Sequence, residues 1–280
     1  MSKIAIVTDS TVCLPQELVQ RYGIHVVPTW IHRGQEAFRD GVDITQKQVY
    51  QWLREGYRLT TSQPSVGEFM QVFKDVSRKV EAIVSILVSA DISGVYSSGF
   101  NAAKFLEGFP IQVIDSCTIS MAHGFVVLAA ARAAQAGATF TEVVEAAKAM
   151  IPRVNLLAAL ETLECAHRSG RIPAITALVG SFLRINPVLE VKDGQITIFA
   201  RVRTKRKALK RLLEEAKRRM GESLVHAAII HGDVLEEAEG LKEQVVQRFD
   251  LAELYIADIP PVLAVHAGPG ALGLIFYKED

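Results

Sequence analysis

Apolar residues in the first half of the chain fall in short continuous runs, each ending in a polar cluster that leads into a segment of helical period. Residues 4–7 are uniformly apolar and end at Asp9-Ser10-Thr11, after which Pro15 suits the first turn of a helix that Gly23 closes. Residues 24–31 predict a second strand, and Thr45 with Gln48 has the capping-box spacing that opens a helix ended by Gly56. Residues 82–88 predict a buried strand, 94–106 a helix and 111–114 another strand. Strands that are apolar along their whole length and separated by helices belong to a parallel sheet covered on both faces.

From about residue 155 the pattern changes. Asp193-Gly194 stands between two strand-like runs, 188–191 and 195–200, which predicts a two-residue hairpin. Residues 225–230, 252–257, 262–265 and 272–277 predict further strands, with helices near 204–220 and 234–248. The expected fold class is therefore α/β in two domains. The boundary falls within 145–165 and is placed so that 1–155 form a parallel-sheet α/β/α domain and 156–280 a mixed-sheet α/β domain.

Composition removes several function classes. The 280 residues are 49% hydrophobic and 22% charged with a formal net charge of +0, so no global field draws the chain to nucleic acid or an anionic membrane. Cys13, Cys117 and Cys165 share no metal-ligand spacing, and an odd, sparse set fits reduced thiols. Met1-Ser2-Lys3 leads at once into a strand-like run, and the Ala-rich stretch 122–136 is interrupted by Arg132 and Gln135. A cytoplasmic protein without membrane insertion is expected.

The densest candidate chemistry is Thr60-Thr61-Ser62-Gln63-Pro64-Ser65. Ser65 and Glu68 have capping-box spacing, which leaves Thr60, Thr61 and Ser62 ahead of a helix start, where carboxylate or phosphate is favoured. An ordinary capped turn is the competing reading. Ser93-Gly94 follows another strand; Ser93 can cap the next helix, and Gly94 admits close backbone approach. His266 precedes Ala267-Gly268-Pro269-Gly270, where two glycines and a proline fix the loop at the exit of the expected strand 262–265. Arg201 and Arg203 open a cationic run to Arg211 and share one strand face, so they could grip an anion. No P-loop, dinucleotide fingerprint or nucleophile elbow is present in the sequence, which favours binding over catalysis.

Taken in order, these motifs resemble the DegV family, whose members resemble the fatty-acid-binding subunits of bacterial fatty acid kinase. The resemblance rests on Ile6-Val7-Thr8-Asp9-Ser10-Thr11, Asp40-Gly41-Val42-Asp43-Ile44-Thr45, Thr61-Ser62-Gln63-Pro64-Ser65 and Ile92-Ser93-Gly94. It continues through Val113-Ile114-Asp115-Ser116, Thr162-Leu163-Glu164, Gly170-Arg171-Ile172 and His266-Ala267-Gly268-Pro269-Gly270. It implies two α/β domains with a long-chain fatty acid between them, its carboxylate held by Thr61 and Ser93 with Ser62 and Gly94 as backbone neighbours. It also implies that His266 and Arg201 or Arg203 face the carboxylate, and that the tail passes Ile119, Met121 and Ala158. The implied role is a carrier, not an enzyme, with no cofactor beyond its lipid. A separate ATP-dependent kinase subunit would phosphorylate the carboxylate. Ala267 stands where the family often has Thr, and Asn186 where Lys is frequent. The segment 165–169 also departs from the family's more usual Tyr- and Lys-rich run.

Two other classes compete. Ser93 as nucleophile with His266 as base would make an acyl hydrolase or transferase. The basic segment 201–211 would serve a regulatory nucleic-acid-binding module, against which stand the neutral net charge and the lack of interleaved aromatics.

Overall fold

A computed structural model describes residues 3–172 and 185–279. In chain order the first part comprises β1 (Ile4–Asp9), α1 (Gln16–Tyr22), β2 (His25–Val27), β3 (Trp30–Arg33), β4 (Glu36–Arg39), α2 (Gln46–Arg54) and β5 (Leu59–Ser62). It continues with α3 (Val66–Ser77), β6 (Ala82–Leu87), α4 (Val95–Ala103), β7 (Ile111–Asp115), α5 (Ser120–Gln135) and α6 (Phe140–Met150). The second part contains β8 (Asn155–Ala159), α7 (Glu164–Ser169), β9 (Asn186–Lys192), β10 (Gln195–Val202) and α8 (Lys205–Met220). It ends with β11 (Val225–His231), α9 (Leu235–Val246), β12 (Leu251–Asp258), α10 (Pro261–Ala267) and β13 (Leu272–Lys278).

Strands β2-β1-β6-β7 form a parallel sheet, and β10-β9-β8-β13-β11-β12 form a six-stranded mixed sheet. Sheet one is buried along β1 and β6, as their uninterrupted apolar runs require. Asp193 and Gly194 both have positive φ, 50° and 79°, the geometry of a tight I′ hairpin joining β9 to β10.

Two expected elements differ. Residues 24–31 are split, because Pro28 interrupts the run. β2 joins the parallel sheet, while β3 crosses to a separate antiparallel sheet of order β4-β3-β5. Residues 262–265 are not a strand but lie in α10. A four-residue apolar run carries no period of its own, so neighbours decide it. Here Pro261 occupies the first turn, and the Asp40 carboxylate accepts the Val262 N–H at 3.1 Å, capping the helix from outside.

Helix α5 joins the two sheets. Twelve of its sixteen residues are buried, as in a helix apolar on all sides. Phe125 meets Tyr277 of β13 edge-on at 5.0 Å, and His123 bonds Thr8 Oγ1 and the Ile86 carbonyl, both at 3.0 Å. One hydrophobic core consequently runs from Ile4 and Ile86 through Phe125 to Ile275 and Tyr277.

Candidate functional site

Both capping boxes expected near the site are made. Ser65 Oγ accepts from Glu68 N at 3.2 Å, and the Glu68 carboxylate accepts from Ser65 N at 2.8 Å. With Ser65 engaged in the cap, Thr61 and Ser62 remain on β5, whose pleat points them to opposite faces. β5 pairs with β3, placing Ser62 Oγ 2.8 Å from His32 Nε2. Thr61 faces α10 and lies with Oγ1 2.9 Å from His266 Nε2.

His266 therefore stands in the last turn of a helix, not at a strand exit. It is half-buried as a residue, but its Nδ1 is closed to solvent and has no hydrogen-bond partner among the described residues. Burial, then the nearby positive charge of Arg171, pushes its pKa down to about 4. At neutral pH the ring is uncharged.

At Ser93-Gly94 the cap belongs to Gly94, which makes no side-chain cap bond, while Ser93 Oγ accepts from Val95 N only at 3.4 Å. Ser93 is thus weakly engaged by its own helix. A β-carbon on Gly94 would lie 2.9 Å from Gln63 Nε2, so glycine there lets the 61–65 loop and the 93–94 loop close on each other. The strand-end carboxylates are structural. Asp9 accepts from Thr11 N at 2.9 Å and Val88 N at 2.8 Å, and Asp115 accepts from Cys117 N at 2.8 Å and Ala90 N at 3.2 Å.

Three cavities meet at these residues. The first is apolar, with about 700 Å³ of space between atoms including its open side. Ile119, Leu156, Ala158, Leu160, Leu189, Ile196, Ile230, Leu263 and Ala271 are among its walls. The second, about 550 Å³ by the same measure, is lined by Thr11, Thr29, Thr61, Ser62, Gln63 and Ser93. Ile119, Arg171, Ile196, Leu263 and His266 line both, so the hydroxyl-rich compartment opens onto the apolar one. The third is an outer vestibule holding Arg58, Arg168 and Arg171 with His167, Thr61 and His266. No Asp or Glu lines it among the described residues.

The structure brings Thr61, Ser62, Ser93, His266 and Ile119 to the polar compartment and Ala158 to the apolar wall, with Gly94 behind Gln63. Met121 lines none of these cavities; it is fully buried in the core. Arg201 and Arg203 line none either and are exposed. Ile196 reaches the site, but Arg201 is five residues farther along β10, about 16 Å at the strand rise. Among the described residues the arginine bordering all three cavities is Arg171, and its sequence signal was the Gly170-Arg171-Ile172 motif. Ala267 adds to the apolar wall, and Asn186 Nδ2 donates to the Glu161 carbonyl at 3.0 Å, fastening the loop after β8.

An acyl-transfer pair is not assembled, since the His266 Nε2 contact is with Thr61 rather than Ser93. Among the described residues no group of three His, Cys, Asp or Glu could hold a metal ion, and no helix is long and apolar enough to cross a membrane.

Residues 3–279 match a family described as "Uncharacterised protein, DegV family". A DegV domain-containing protein of Streptomyces coelicolor is 35% identical over 274 residues, covering 97% of each chain. A solved structure described as fatty acid binding of a DegV family protein from Thermus thermophilus superposes with a TM-score of 0.92 at 30% identity over 100% of both chains. A stearic acid-binding protein from Eubacterium ventriosum superposes at 0.90 and 25% identity, covering 99% of this chain and 98% of its own.

Proposed function

This chain belongs to the DegV family, and we propose that it binds a long-chain fatty acid between two domains, 1–155 and 156–280, and presents the carboxylate to a separate kinase subunit. One observation carries the reading. A cavity walled by Leu, Ile and Ala opens, through shared residues, into a compartment lined by Thr and Ser hydroxyls. That is the profile of a ligand with a long apolar tail and one polar end.

The energetics are consistent. Burying a sixteen-carbon chain at about 0.8 kcal/mol per methylene yields roughly 12 kcal/mol of gross driving force, much of it offset by ordering the ligand. A buried carboxylate needs strong hydrogen bonds, which Thr61 and Ser93 hydroxyls supply. With its ring proton on Nε2, neutral His266 donates to Thr61 Oγ1 and frees the Thr61 O–H to donate to the ligand. Hydroxyls hold the carboxylate without a close ion pair that phosphorylation would have to break. Arg58 and Arg171 in the vestibule supply positive charge where an incoming phosphate and an acidic kinase surface would arrive, while Arg168 beside them is already paired with Glu164.

The test is mass spectrometry of lipid extracted from the purified protein, followed by palmitate titration of Thr61→Ala and Ser93→Ala. A stoichiometric fatty acid and a loss of about tenfold or more in each variant are expected. Lipid-free protein that also refuses added fatty acid refutes the carrier reading; unchanged affinity in both variants refutes the site. Mixing loaded protein with ATP and a fatty acid kinase catalytic subunit should yield acyl phosphate, and none would remove the kinase role.

A further inference from the structure

We propose that Thr11 is a third hydroxyl donor to the ligand's head group, beside Thr61 and Ser93. The proposal rests on the fatty-acid reading and assigns a residue that the resemblance leaves without a role. Thr11 follows β1 and lines the polar compartment together with Thr61 and Ser93. It is 5% exposed, and its Oγ1 is closed to solvent with no hydrogen-bond partner among the described residues.

Its neighbours differ. Thr8 Oγ1 is bonded to His123, Ser10 Oγ to Thr29 at 2.9 Å, and the Asp9 carboxylate to two backbone N–H groups. One of those bonds, Thr11 N to Asp9 Oδ1 at 2.9 Å, holds the Thr11 backbone in place at the rim of the compartment. In this strand-end patch the Thr11 hydroxyl is the one without a partner among the described residues. A hydroxyl removed from water without a partner is destabilising, and valine has the same shape without that penalty. The hydroxyl therefore answers to what enters the compartment. An ionised carboxylate offers about four lone-pair sites on two oxygens. Thr61 and Ser93 fill two of them, and Thr11 supplies a further donor.

The experiment compares delipidated wild type, Thr11→Val and Thr11→Ser by calorimetric titration with palmitate and with hexadecanol, alongside the thermal midpoint of each ligand-free protein. Thr11→Val should bind palmitate about 10- to 100-fold more weakly, the range of one hydrogen bond to a charged group. Its hexadecanol affinity should hold, its midpoint should not fall, and Thr11→Ser should keep most of the palmitate affinity. Wild-type palmitate binding in Thr11→Val overturns the proposal while leaving the carrier reading intact. So does an equal loss for palmitate and hexadecanol, which would mark a packing role. Wild-type protein that binds no palmitate overturns both. If Thr11→Val does not fold, Thr11→Cys keeps the volume while weakening the donor, and the same loss is expected.

Discussion

Asp40 offers a sharp test of how the site is held, because it caps α10 from another part of the chain and α10 carries His266. It is 3% exposed, and burial, opposed by its hydrogen bonds, raises its pKa from 3.8 to about 7. The folded protein thus keeps this proton to higher pH than the unfolded chain does. The stability contribution is fully present below about pH 4 and is lost as pH rises to about 7. A displacement of that size corresponds to a loss on the order of 4 kcal/mol at 1.36 kcal/mol per pH unit. His266 acts with the opposite sign. Its pKa is depressed from 6.5 to about 4, so its contribution is present above about 6.5 and lost as pH falls to about 4. The two slopes oppose one another across that window and flatten the wild-type profile. Asp40→Asn keeps an oxygen to accept from Val262 N but does not titrate. Urea denaturation of both proteins from pH 4 to 8 should show the variant gaining on wild type as pH rises, by a few kcal/mol, with a plateau above about pH 7. A difference that is constant with pH would refute the assignment of a buried, proton-holding Asp40.

Two other substitutions probe the cavities. Ala158→Phe intrudes on the apolar wall, taking the space of three or four methylenes, so competition across saturated acids should shift toward shorter chains by about 2–3 kcal/mol; an unchanged ranking would remove the tail from this cavity. Arg171→Leu should weaken palmitate binding several-fold at low salt, less at high salt, and raise the His266 pKa in an NMR titration. Arg201→Leu should stay within about twofold of wild type, since it lines none of the cavities. The reverse order would restore the strand arginines to the head group.

Local rules with short reach were legible in the chain. The capping boxes of Thr45 and Ser65, the Asp193-Gly194 hairpin and the buried runs of β1 and β6 appear where spacing places them. Each is decided by residues within four positions of one another, or by apolar continuity. The motif residues Thr61, Ser93 and His266 were legible as polar groups at element ends. Their meeting was not, because Thr61 and His266 are 205 residues apart in sequence.

Where the sequence misdirected, the deciding contact was distant. The run 262–265 is apolar enough for a strand and is made helical by Pro261 together with the Asp40 carboxylate, 222 positions from Val262. Arg201 and Arg203 form the more conspicuous cationic pair, yet Arg171 borders the site, since proximity depends on which loops the two sheets bring together. Composition and periodicity on their own determined the layers, the caps and the residue types available to hold an anion. Only the tertiary structure decided which of those groups share a cavity, and that the Thr11 hydroxyl, which lines the polar compartment, has no partner among the described residues. Burial and pairing arise between segments that sequence spacing cannot relate.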